Sequence, residues 1–279
     1  MNLRLLDRSD LATVMAFKDL AGWNQTLLDW ERFLKLNPTG CFAGEIGGTV
    51  IGVVTTIMYK DGIGCIGTLL VAPLHRRQGI GTSLFKAAVE HLEERGADTL
   101  QLIAPPSGKG MFEKLGFVAE YDIERWVLHR EATPSPGLVR AALPDFEKIL
   151  GADQEVFGTD RGELLQSLHA DAPDFTLASL LEGEVIGYAL GRGGSSADQL
   201  GPWVAWDQPT ARELLDEFLK RSGRDTLIVD CPKSNEMARE LLLANGFRIS
   251  RPLLHMVRGP KSNLGRPELF CGILGPDFA

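Results

Sequence analysis

The stretch LHRRQGIGTSLF, residues 74–85, sets three basic or ring-nitrogen side chains and a glutamine before two glycines one residue apart, followed by an apolar run. Before it, Leu69-Leu70-Val71 reads as the end of a strand closed by Ala72-Pro73. After it, Leu84, Phe85, Ala88, Val89 and Leu92 recur at helical spacing until Gly96. The stretch is therefore a strand-to-helix turn. Free N–H groups at a helix start point outward and carry about half a positive charge, so such a turn collects anions. Gly79 and Gly81 have no Cβ to hold a phosphate off the backbone, and Arg76, Arg77 and Gln78 add donors, which suits a diphosphate. The Gly-Lys-Ser/Thr ending of a Walker loop is missing, and so is the third glycine of a dinucleotide turn. The alternative is a tight turn with solvated arginines.

Outward from the turn, Asn2–Leu6 reads as a short strand and Ser9-Asp10 as the start of a helix. A second helix follows near Thr26–Leu36, then three strands at Cys41–Glu45, Val50–Tyr59 and Gly64–Ala72 joined by glycine turns. Beyond the long helix of 81–95 come a strand at Thr99–Ala104, a short helix at Gly110–Leu115 and a strand region at 117–130. The order β-α-α-β-β-β-α-β-α-β implies a mixed, mostly antiparallel sheet flanked by helices. The order then repeats. Gly48–Gly52 (GTVIG) is answered by Gly183–Gly187 (GEVIG), Gly96–Leu100 (GADTL) by Gly223–Leu227 (GRDTL), and Leu115-Gly116-Phe117 by Asn245-Gly246-Phe247. Three matches at nearly constant offset mark a duplication. The expected division is a first domain at 1–130, a linker at 131–137 rich in proline and small residues, and a second domain at 138–279.

A chain of 279 residues fits two domains, and 44% hydrophobic with 24% charged residues is a globular composition. No run is apolar enough to span a membrane and no signal peptide is evident, so a cytoplasmic protein without membrane contact is expected. The four cysteines lack CxxC spacing, which supports neither a metal site nor disulfides. A net charge of −8, with the second half the more acidic, argues against nucleic acid and favours a cationic or amine substrate.

Arg76-Arg77-Gln78-Gly79-Ile80-Gly81 resembles the Gln/Arg-x-x-Gly-x-Gly/Ala signature of the GNAT superfamily of acetyl-CoA-dependent N-acetyltransferases. The strand before it, the long helix after it, the strand at Thr99–Ala104 and the Phe112–Phe117 stretch resemble successive landmarks of that family over residues 3–128. The resemblance implies two tandem GNAT-like domains. It also implies that Leu69, Leu70 and Val71 pair with the pantetheine arm of acetyl-CoA, and that Arg76, Arg77, Gln78, Gly79, Ile80, Gly81 and Thr82 hold its pyrophosphate. At the matching place the second copy reads Trp203 to Glu213, WVAWDQPTARE, six residues shorter and without glycine, so it is expected not to bind CoA. Its expected part is to cover the first domain's cleft, shape the substrate pocket or stabilise the pair.

The implied reaction is direct acetyl transfer to a primary amine of a small molecule, by a monomer or homodimer, without a metal. Where many relatives carry a proton-donating tyrosine this chain has Phe112, so either Tyr121 or a water serves, or the thiolate leaves unaided. The segment GWNQTLLDW, residues 22–30, falls where the family lines its acceptor site. Trp23, Asn24 and Trp30 are the expected substrate contacts and Asp29 the expected base, with Glu45 and Glu31 weaker. The competing reading makes both tryptophans core anchors, Asn24 a helix cap and Asp29 a solvated residue. Loss of the tyrosine leaves a second possibility, a catalytically weak acyl-CoA-binding or sensing protein, and a longer acyl-CoA donor is a third. The apolar stretch Phe270–Pro276 reads as packing.

Overall fold

The computed structural model describes residues 1–132, 146–261 and 264–278; residues 133–137 of the expected linker lie outside the described residues. The first half runs β1 (Asn2–Leu5), α1 (Leu11–Leu20), α2 (Leu27–Leu36), β2 (Phe42–Ile46), β3 (Thr49–Met58), β4 (Ile63–Val71), α3 (Ile80–Glu94), β5 (Thr99–Ala104), α4 (Lys109–Glu113) and β6 (Val118–His129). One start differs from expectation. Asp7, not Ser9 or Asp10, accepts the Ser9 N–H at 2.6 Å and caps a short 3-10 turn that leads into α1. Thr26 caps α2 in a reciprocal capping box with Asp29.

The second half repeats the plan as α5 (Phe146–Phe157), α6 (Gly162–Asp171), β7 (Leu177–Leu181), β8 (Glu184–Gly193), β9 (Asp198–Ala205), α7 (Gln208–Arg221), β10 (Thr226–Pro232), α8 (Glu236–Ala244) and β11 (Arg248–Arg258). A short strand, β12 (Phe270–Gly272), is added. The three repeated sequence pairs fall on matching structure: the turn into β3 and into β8, the start of β5 and of β10, and the positive-φ glycines Gly116 and Gly246 after α4 and α8. α3 lays Leu84, Phe85, Ala88 and Leu92 on the sheet, and α7 does the same with Ala211, Leu214, Leu215 and Phe218, all buried.

The strand order is β1-β2-β3-β4-β5-β11-β6-β10-β9-β8-β7, with β12 on β9. Each half's long closing strand thus completes the other half's sheet: β11 pairs with β5, and β6 pairs with β10. The two cross at the centre of the sheet as antiparallel neighbours. Away from the sheet, α2 of the first half meets α6 of the second, where Arg32 is ion-paired to Asp171 and donates to Ser167 Oγ at 3.0 Å.

Candidate active site

β4 and β5 are parallel and pair at Ile63–Thr99, Gly64–Leu100 and Cys65–Gln101, where the ladder ends. Beyond that point the strands part, and the β5-facing edge of β4 has no strand partner among the described residues. A cavity of about 280 Å³ opens in the gap, bounded by Ile66 to Leu69 on one side and Leu102 to Ala104 on the other. Thr68, in a bulged stretch of β4, sits at φ 43°, a backbone conformation that a β-branched residue rarely adopts. Phe112 walls the cavity, packed on Phe85 with ring centroids 4.9 Å apart.

From the open end of β4 the chain enters the glycine turn. Arg77 and Gly79 adopt positive φ (62° and 81°), and Gly79 heads α3 with no side-chain cap. The first helical bond runs from Ser83 N to Gly79 O at 3.0 Å. The N–H groups of Ile80, Gly81 and Thr82 have no acceptor among the described residues, as at any uncapped helix start. A Cβ on Gly79 would meet nothing within 4 Å, and one on Gly81 only Val71 and Leu69 at 3.6 and 4.0 Å. The cradle is open toward solvent and fits a diphosphate. The turn spends two of its donors on itself, since Arg76 Nε reaches Val71 O at 3.0 Å and Gln78 Nε2 reaches Leu74 O at 3.2 Å.

The second half has neither feature. Asp207 caps α7 by accepting the Thr210 N–H at 2.8 Å, placing a carboxylate where an anion would bind, and Pro209 removes another donor. Where β9 and β10 part, β12 fills the gap: Phe270 and Gly272 pair with Val204 and Trp203, and Ile273 N donates to Asp230 O at 2.8 Å.

The chain then continues from the filled gap into the open one. Asp277 lies in the cavity wall, accepting hydrogen bonds from Gln25 Nε2 at 2.8 Å and Thr68 Oγ1 at 3.2 Å, both on Oδ1. Its backbone O packs on Gly67 so closely that a Cβ there would come within 2.5 Å. Burial pushes the Asp277 carboxyl above its ordinary value despite the pull of Arg192. Three guanidinium groups share the wall. Arg125 is held by Asp230 through two bonds of 2.7 Å, and Arg192 by Asp29 at 2.8 Å and Gln199 at 3.0 Å. Arg251 is the third. The net charge of the chain therefore says little about this site, where three guanidinium groups stand among the carboxylates of Asp29, Asp230 and Asp277.

Of the residues singled out in the sequence, Leu69, Phe112, Trp23 and Asn24 reach the cavity wall, while Leu70 and Val71 extend β4 toward the turn. Asn24 is not a helix cap but a clasp. Its Nδ2 donates to Ala197 O at 3.0 Å, and its Oδ1 accepts from Ser196 N, Ser196 Oγ and Ala197 N, so its amide is spent on joining the halves. Asp29, Trp30 and Tyr121 do not line the cavity. Asp29 is buried with Oδ1 on Arg32 at 2.7 Å and Oδ2 on Arg192 and the Thr26 N–H, which leaves no free oxygen for a proton-accepting role. Trp30 is wholly buried against Phe33, as the core reading has it. Tyr121 is stacked on His255 in a separate small cavity, and burial pushes its hydroxyl up, away from proton donation at neutral pH. Glu45 is engaged by Arg4 at 2.8 Å, and Glu31 lies 3.9 Å from Arg8. Sequence reasoning missed Asp277, Arg192 and Arg251. Arg192 is a lone cation in an apolar strand and Asp277 follows an apolar tail, while Arg251 is one of three arginines in β11.

Residues 8–117 match the model of the acetyltransferase (GNAT) family, and residues 149–271 match that of an acetyltransferase (GNAT) domain. The chain is 25% identical to the holothin acyltransferase of Pseudoalteromonas sp. (strain SANK 73390), covering 75% of this chain and 71% of that protein. It is 26% identical to the uncharacterised N-acetyltransferase YitH of Bacillus subtilis (strain 168), covering 81% and 80%. Its fold matches a crystal structure from Pyrococcus horikoshii with a TM-score of 0.80 at 22% identity, over 100% of this chain and 95% of that one.

Proposed function

The chain belongs to the GNAT acetyltransferase family, with two GNAT domains in tandem, and from that premise we propose that residues 1–130 bind acetyl-CoA and transfer its acetyl group to a primary amine of a small molecule. The observation that carries this reading is the unpaired edge of β4 running into an uncapped helix start. One edge offers backbone partners to the amides of a pantetheine arm, and the other offers N–H groups to a diphosphate. In this reading Leu69 to Val71 hold the arm, and Arg76 to Thr82, with both glycines, hold the diphosphate. Residues 138–279 bind no CoA of their own, since β12 and Asp207 occupy the corresponding places. They supply a wall of the cavity instead.

Acetyl-CoA, when bound, supplies an acetyl thioester as electrophile. The chain's part is to hold an amine beside it, which is worth about 7–11 kcal/mol of the barrier when orientation is good, and to remove the amine's proton. Asp277 takes that proton, because it is the carboxylate in the cavity wall and its raised basicity suits an acceptor. Phe112 has no proton to return, so the sulfur leaves as thiolate, with a thiol pKa of about 8.5. The test is CoA release from acetyl-CoA over a panel of amines. Tight acetyl-CoA binding with no amine acylated would sink the transferase reading in favour of a sensor. A longer acyl donor is favoured by one observation, the apolar wall of Phe85, Met111 and Phe112. Turnover compared across acyl chain lengths decides it.

A further inference from the structure

Arg251 stands opposite Arg125 in the β11–β6 ladder, at a register shift that follows Ile249. Like charges directly opposite each other across strands are destabilising, and a bulge turns a side chain away from the regular pleat. Asp230 neutralises Arg125 with a bidentate pair, and Asp29 neutralises Arg192. Arg251 has no hydrogen bond or ion pair among the described residues, and its Nε is buried without a partner in the wall of the cavity. Burial, and after it the charge of Arg125, lowers its affinity for a proton, and the carboxylates of Asp230 and Asp277 offset this only in part. Arg251 is half-buried, and its unpartnered Nε faces a cavity where an anionic group would satisfy it. Asp277, in the same wall, is the complementary end for a cationic group.

We infer that the acceptor is an amine that also carries a carboxylate, an amino acid or a molecule with the same pair of charges, and that Arg251 is the receptor for that carboxylate. The inference rests on the transferase reading for the word acceptor, but its test does not need turnover. With CoA present, calorimetry on the full chain compares each of a set of amino acids with its carboxamide. At least one acid is expected to bind about 10-fold or more tightly than its amide, the range of a charge-assisted pair. Arg251→Met is expected to remove that preference and leave CoA affinity within about 2-fold. Arg251→Lys, which keeps the charge and loses the planar fork, is expected to fall between the two. No preference for any acid at about 10 mM, or a preference that survives Arg251→Met in a folded variant, overturns the inference. So does a large loss of CoA affinity, which would put Arg251 on the donor. Acid-selective binding without acetyl-CoA consumption would leave the site standing and remove the transferase reading instead.

Discussion

At the scale of single residues, the two glycines of the turn are expected to behave oppositely. Gly81 lies inside a helix with room for a Cβ, so Gly81→Ala is expected to raise stability by up to about 1 kcal/mol in thermal melts. Gly81→Trp is expected to abolish acetyl-CoA binding in a folded protein; unchanged affinity by calorimetry would remove the diphosphate assignment. Gly79 sits at positive φ, and Ala there is expected to cost about 1 kcal/mol. For Asp277 the sign follows from its raised carboxyl. Between the ordinary and the raised value, the folded chain holds this proton more tightly than the unfolded chain, so stability falls as pH rises through that window. The base must be ionised, so activity falls as pH drops below the raised value. Asp277→Asn is expected to lower kcat by about 10²- to 10⁴-fold and erase that acidic limb, while raising the melting temperature. A variant that kept the rate and the pH profile would exclude the role.

At the scale of elements, the contrast is between two gaps of the same design, one open and one filled by β12. A Cβ at Gly201 would stand 2.0 Å from Ile273 O, so Gly201→Val is expected to displace β12. Because the same segment carries Asp277 onward, the variant is expected to lose activity along with several kcal/mol of stability by denaturant titration, although Gly201 does not line the cavity. Retained activity would break the link. Most elements were legible in the chain because helix α3 and strands β3 to β5 declare themselves by period and by glycine turns. The glycine turn was legible because a strand-to-helix turn with an uncapped helix start is local. The cavity wall of Asp277 and Arg251 was not. Asp277 lies 209 residues from Thr68, whose hydroxyl binds it, and Arg251 meets Arg125 across a ladder between halves. No local pattern encodes such a distance, and the apolar tail looked like packing because Phe270, Ile273, Leu274 and Phe278 do pack. Asp29 misled for a related reason: a carboxylate near two tryptophans looks free until Arg192, 163 residues away, is seen to bind it.

At the scale of the molecule, the exchange of β6 and β11 makes each half incomplete alone. A chain cut between residues 132 and 146 is expected to remain one particle on size exclusion, since β5, β11, β6 and β10 bind across the cut. Residues 1–132 expressed without the rest are expected to aggregate through the bare edge of β5. A monodisperse, folded first half would show that the exchange is dispensable. The strand order also sets a schedule. About 150 residues separate β5 from its neighbour β11, so at roughly 5–20 residues per second a ribosome leaves that edge waiting for about 8 to 30 s. Until that interval ends the nascent chain carries its whole glycine turn but lacks Arg251 and Asp277. Translation halted before β11 therefore yields a product whose glycine turn is complete and whose cavity wall still lacks Arg251 and Asp277.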